Sequence, residues 1–213
     1  IAYVSKARVA LVDAPKTYEE LADAKWKGRL CTRSGSHPYQ IALTAAFIEH
    51  YGEAKTETWL RGVKANLARK PQGNDRAQVK AIREGVCDVA LGNNYYYGLM
   101  LENPDQKAWA ESVNPVFPTL GGRGTHVNIS GVALTKAAPN KANAIRLMEF
   151  LTSDLAQKIY AEKNFEYPIV DGVERAEILK KMGDFTADDI SLAAVAEHRG
   201  DAIMLIDKVG YNE

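Results

Sequence analysis

Short β-branched runs alternate along the chain with longer stretches of helical period, a pattern that predicts an α/β fold: a central mixed sheet flanked by helices. Strands are expected at residues 8–12, 28–32, 87–91 and 127–135. Pro38 stands where a first-turn proline is tolerated and Gly52 supplies a C-terminal cap, so one helix is expected between them, with Ile41, Ala45 and Ile48 as its apolar stripe. Asn74 or Asp75 caps a second helix, which Gly85 ends after Glu84. A third begins near Asn93 and Asn94, directly after Leu91. Ala144, Met148, Leu151, Leu155 and Ile159 recur at spacings of three and four, which gives helices at 140–151 and 154–163 core-facing stripes.

The composition fits a folded chain: of 213 residues, 46% are apolar and 25% charged. Lys and Arg number 27, as do Asp and Glu, so there is no standing positive field of the kind nucleic acids and anionic membranes select. No apolar stretch approaches the roughly 18 residues needed to cross a bilayer. The chain opens on Ile1 rather than Met, which reads as a processed protein or a fragment. Cys31 and Cys87 allow two readings, a pair of buried thiols or one bridge worth roughly 4 kcal/mol by the chain-entropy model, and the residues leave both open.

Gly92-Asn93-Asn94-Tyr95-Tyr96-Tyr97-Gly98 sets three of the chain's 10 tyrosines just after an apolar strand. In open α/β sheets ligands bind beyond the carboxyl ends of strands, where Tyr95 and Tyr96 would stand. Tyr39 opens another helix that also follows a strand, so three phenols are expected at one sheet edge. Consecutive helical residues point about 100° apart, which turns Tyr97 away into the protein. A phenol with pKa near 10 is a poor ligand until a cation displaces its proton, and hard oxygen donors suit Fe(III) better than Zn(II) or Cu(I). Against this stands the commoner use of aromatic clusters as core or cleft lining. The polar loop Thr32-Arg33-Ser34-Gly35-Ser36-His37 leads into a helix start and reads either as a small-anion site or as ordinary capping.

No catalytic set emerges. His50 and His198 sit late in helices and read as solvated or capping groups, while His37 and His126 lie in loops without an adjacent nucleophile. The charge runs Lys180-Lys181 and Asp188-Asp189 read as solvated faces, and Gly121-Gly122-Arg123-Gly124 reads as a hinge. An α/β transferase or hydrolase with His37 as base is the reading furthest from the residues.

The phrases Thr17-Tyr18-Glu19-Glu20-Leu21-Ala22 with Trp26-Lys27-Gly28-Arg29, Arg33 to Tyr39, Gly92 to Gly98 and Asn128-Ile129-Ser130-Gly131-Val132-Ala133 give the chain a resemblance to a known family. It resembles the periplasmic ferric-iron-binding proteins of bacterial ABC transporters, two-lobed solute-binding proteins of periplasmic-binding-protein type II fold. The resemblance implies Tyr39, Tyr95 and Tyr96 as Fe(III) ligands. Arg33, Ser34, Gly35 and Asn93 would stand around a synergistic anion such as carbonate or phosphate. It implies export to the periplasm, delivery to an ABC permease, no catalytic turnover, and a bridge between Cys31 and Cys87. It also implies a division of the chain. Residues 1–12 would be a hinge strand and 13–126 the second lobe. Residues 127–176 would belong with an absent first lobe, and 177–213 would return to the second. The alternative keeps the fold but makes the ligand an organic or phosphorus-containing anion, with the tyrosines only lining the cleft.

Overall fold

The computed structural model describes residues 1–213. The chain forms two compact units, Ile1–Val127 with Phe185–Glu213, and Asn128–Asp184. The first unit is built on a four-stranded mixed sheet. Its strands are β1 (Ala2–Ser5), β2 (Leu30–Cys31), β3 (Val89–Leu91) and β4 (Val113–Val116), in the order β2-β3-β1-β4. β2 and β3 run parallel, with Leu30 opposite Val89 and Cys31 opposite Ala90, while β1 is antiparallel to both β3 and β4.

Alternation along these strands divides the core. Ala2, Val4, Leu30 and Val89 face one hydrophobic cluster, and Tyr3, Cys31, Ala90 and Val113 face another. The first cluster is completed by helices α1 (Pro38–Tyr51) and α2 (Glu53–Ala65), and by the tail of the chain. The second is completed by α3 (Asp75–Arg83), α4 (Tyr95–Glu102) and α5 (Lys107–Glu111). α1 has the predicted bounds: Pro38 sits in its first turn, and Gly52, at φ 76°, accepts the chain reversal at its end. The Asn74 side chain caps α3 by accepting from the Ala77 N–H at 3.0 Å. Cys31 and Cys87 form a disulfide, with their Cα atoms 5.9 Å apart.

Two expected strands are absent. Residues 8–12 turn instead: the Val9 N–H donates to the Ser5 carbonyl at 3.1 Å, and Leu11–Asp13 is a turn of 3₁₀-helix with Leu11 and Val12 exposed. The central place is taken by β1, whose four residues are buried on both faces. Residues 127–135 form no strand and carry no ladder, because a β-branched run becomes a strand only where another strand accepts its backbone bonds. The second unit holds α6 (Lys141–Leu151), α7 (Asp154–Lys163) and α8 (Glu177–Met182). The stripe expected to face a core on α6 has none, since no residue of that helix is buried. The tail adds α9 (Leu192–Glu197) and α10 (Arg199–Val209) to the first unit.

Candidate metal centre

β2 and β3 are neighbouring parallel strands, so the chain leaves both at the same edge of the sheet. From β2 it passes through a loop at 32–37 into α1, whose second residue is Tyr39. From β3 it passes through Gly92, Asn93 and Asn94 into α4, whose first residues are Tyr95 and Tyr96. Gly92 is required here because a Cβ would lie 2.7 Å from the Tyr3 ring. The two exits converge: the Tyr39 and Tyr95 hydroxyls are 2.9 Å apart, and the Tyr95 and Tyr96 ring centroids are 4.5 Å apart. Asn93 joins them, donating from Nδ2 to the Tyr95 hydroxyl at 3.0 Å. Tyr97 turns away as expected and packs beside Tyr3, with centroids 6.4 Å apart.

All three phenols of the group are half-buried. Burial first, and then the hydrogen bond with Tyr39, push the Tyr95 hydroxyl far above its ordinary value. Burial also raises Tyr96. Both therefore hold their protons at neutral pH, and a cation binding there would have to displace them. Cations already face the rings, Arg33 lying 5.3 Å from the Tyr39 centroid and Arg76 5.2 Å from that of Tyr96. No group of three or more His, Cys, Asp or Glu side chains is placed to hold a metal ion. A metal at this edge would meet phenol oxygen.

A model of the bacterial extracellular solute-binding protein family matches residues 2–190. The chain belongs to that family. It is 42% identical to "Iron uptake protein A1" of Synechocystis sp. over 98% of its own length and 61% of that protein's. Among solved structures it resembles the apo ferric ion-binding protein A of Pasteurella haemolytica, with a TM-score of 0.95 and 50% identity, over 100% of this chain and 67% of that one. It also resembles a Trichodesmium protein solved in complex with iron and citrate ligands, with a TM-score of 0.94 and 43% identity, over 99% and 67% of the two chains. The chain thus spans about three-fifths of the length of this curated relative.

The loop at 32–37 differs from an open anion site. The Gly35 N–H and the Ser34 hydroxyl both donate to Oδ1 of Asn212, at 2.7 and 3.1 Å. Arg33 is ion-paired with Asp75, a fully buried carboxylate that also accepts from the Asn93 N–H at 2.9 Å. His37 is an N-cap: its Nδ1 accepts from the Tyr39 N–H at 3.3 Å, and burial, then Arg33, lower its pKa. Two other expectations are corrected. Asp188 is buried rather than solvated, and His50, only 11% exposed at its side chain, is bonded to it at 2.8 Å. Asn212 carries no sequence signal, because its partners lie 177 and 178 positions away.

Proposed function

We propose that the chain is the iron-holding part of an extracytoplasmic ferric receptor, with Tyr39, Tyr95 and Tyr96 as phenolate ligands and no turnover. The single observation that carries this reading is the meeting of three phenols from two strand ends, two of them in hydrogen-bond contact. The relatives named for iron uptake and ferric-ion binding support it. Three phenolates offset the charge of a ferric ion, so the remaining positions are open to water or a synergistic anion such as carbonate or phosphate without a severe burial penalty. Because Tyr95 and Tyr96 are protonated before binding, iron displaces protons, and acid weakens the complex.

The whole receptor would act in the periplasm and pass its iron to an ABC permease. In this reading residues 128–184 belong with a first lobe, while 1–127, entered through the hinge strand of residues 1–12, and 185–213 make the second. The exposed apolar side chains of α6 and α7 pack against the part of the relatives that this chain does not span. An anion held directly by the Ser34 hydroxyl and the Gly35 N–H is disfavoured, since Asn212 already engages both donors.

The test is a ferric titration under controlled anion. The unaltered chain should develop a visible phenolate-to-iron band, and Tyr95→Phe and Tyr96→Phe should each weaken or abolish it. A band of unchanged energy and intensity in both variants removes these residues from the site.

A further inference from the structure

The last turn of α10 sends the chain end onto the loop that leads to Tyr39. Gly210, in the left-handed region at φ 64°, donates to the Asp207 carbonyl at 2.9 Å, and Tyr211 donates to the Ile206 carbonyl at 3.1 Å. This pair of bonds is the Schellman arrangement, and it is accompanied here by the apolar pair Ile206 and Tyr211. The reversal carries Tyr211 into the core, where its hydroxyl donates to Thr32 Oγ1 at 3.2 Å. It sets Asn212 over the Ser34-Gly35 turn, whose two donors it accepts. Gly35 is held against the same corner so closely that a Cβ would lie 2.7 Å from Ile206 Cγ2 and 2.9 Å from the Tyr211 ring.

The loop then has little freedom before Tyr39. His37 N–H donates to the Ser34 carbonyl at 3.0 Å, the His37 ring accepts from Tyr39 N–H, and its carbonyl accepts from Ile41 N–H at 3.1 Å. Each step from Asn212 to the Tyr39 backbone is therefore a hydrogen bond or an adjoining residue. We infer that Asn212 is a positioning residue for the ferric site: its carboxamide oxygen fixes the Ser34-Gly35 turn and so holds the Tyr39 phenol against Tyr95. The inference rests on the reading of Tyr39 as a ligand, and it explains why the donors of this turn face a protein oxygen rather than a solute.

The experiment compares the full chain with Asn212→Ala, with Asn212→Asp, which keeps an acceptor oxygen in place, and with Tyr39→Phe. In metal-free protein, amide exchange at Gly35 should speed up in Asn212→Ala and return in Asn212→Asp. With ferric ion, Asn212→Ala should bind about fivefold to tenfold more weakly, the scale of a lost hydrogen bond. Its phenolate-to-iron band should shift toward that of Tyr39→Phe, and Asn212→Asp should restore it. Adding Asn212→Ala to Tyr39→Phe should change little more, because both act on one ligand. Additive losses, an unshifted band in Asn212→Ala, or tighter inorganic phosphate binding in that variant would overturn the inference; the last would mean the turn is an anion site that Asn212 blocks. If the unaltered chain gives no band at all, the ferric reading fails. The Gly35 exchange and the Tyr39–Tyr95 contact, followed by NMR in metal-free protein, then decide the positioning role alone.

Discussion

His126 is largely buried, and burial pushes its imidazole down to about 4 against the opposing pull of the Asp188 carboxylate. Its Nδ1 has no hydrogen-bond partner, nor has Oδ1 of Asp188, whose other oxygen is bonded to His50. In the unfolded chain the same ring takes up its proton near 6.5. Between about pH 6.5 and 4, unfolding therefore binds a proton that the folded state refuses, so acid favours the unfolded chain across that window and not above it. His126→Asn should flatten the pH dependence of thermal unfolding between pH 6.5 and 4.5, and a slope as steep as that of the parent would remove His126 as its source. Burial acts on the phenols in the opposite sense. It raises Tyr211 to about 12 as it raises Tyr95 and Tyr96, yet Tyr211 is enclosed by the core with only Thr32 for a partner. What singles out Tyr95 and Tyr96 is half-exposure beside a third phenol, not the shift itself.

β2 and β3 share only two residue pairs, yet they launch the two segments that bring Tyr39 and Tyr95 together. The Cys31–Cys87 bridge reinforces that short ladder across a sequence separation of 56. Loop closure of that length is worth about 4 kcal/mol by the chain-entropy model, so the double variant Cys31→Ala, Cys87→Ala should melt roughly 10 °C lower. An unchanged midpoint would show that the helices alone hold the strands. Elements whose signals are local were legible in the sequence. α1 announces itself by Pro38 and Gly52, α3 by Asn74, and the paired tyrosines by an apolar strand just before them. β4 was not legible, because Pro115 argues against a ladder position, and the strand is tolerated only at the sheet edge it occupies. α2 went unread although Thr56, Trp59, Leu60 and Val63 fall at helical spacing, because Gly52 reads as a stop and offers no capping side chain. The pairing of His50 with Asp188 and the seat of Asn212 have no local signature at all. Such contacts are fixed by how the tail folds back, and no window along the chain contains both partners.

At the scale of the whole molecule, the two units differ in how well they cover their apolar side chains. The first has two hydrophobic clusters, one on each face of its sheet. The second exposes Leu147 at 54%, with Ile145 and Phe150, on α6, which buries no residue; it also exposes Leu155 at 61% and Ile159 on α7, and Ile169 at 72% in the segment after it. A solitary exposed leucine is ordinary, but a run of this kind marks a surface built to be covered. With 27 basic and 27 acidic residues the chain also lacks the net charge that keeps such surfaces apart at neutral pH. The chain alone should therefore bind the dye ANS and associate with rising concentration, and Phe150→Glu with Ile159→Lys should reduce both without lowering the melting temperature of the first unit. A chain extended to the length of its relatives should lose the dye signal and slow amide exchange along α6 and α7. Absence of dye binding by the present chain, or exchange in those helices that the extension leaves unchanged, would mean that the apolar face has no partner in the added polypeptide.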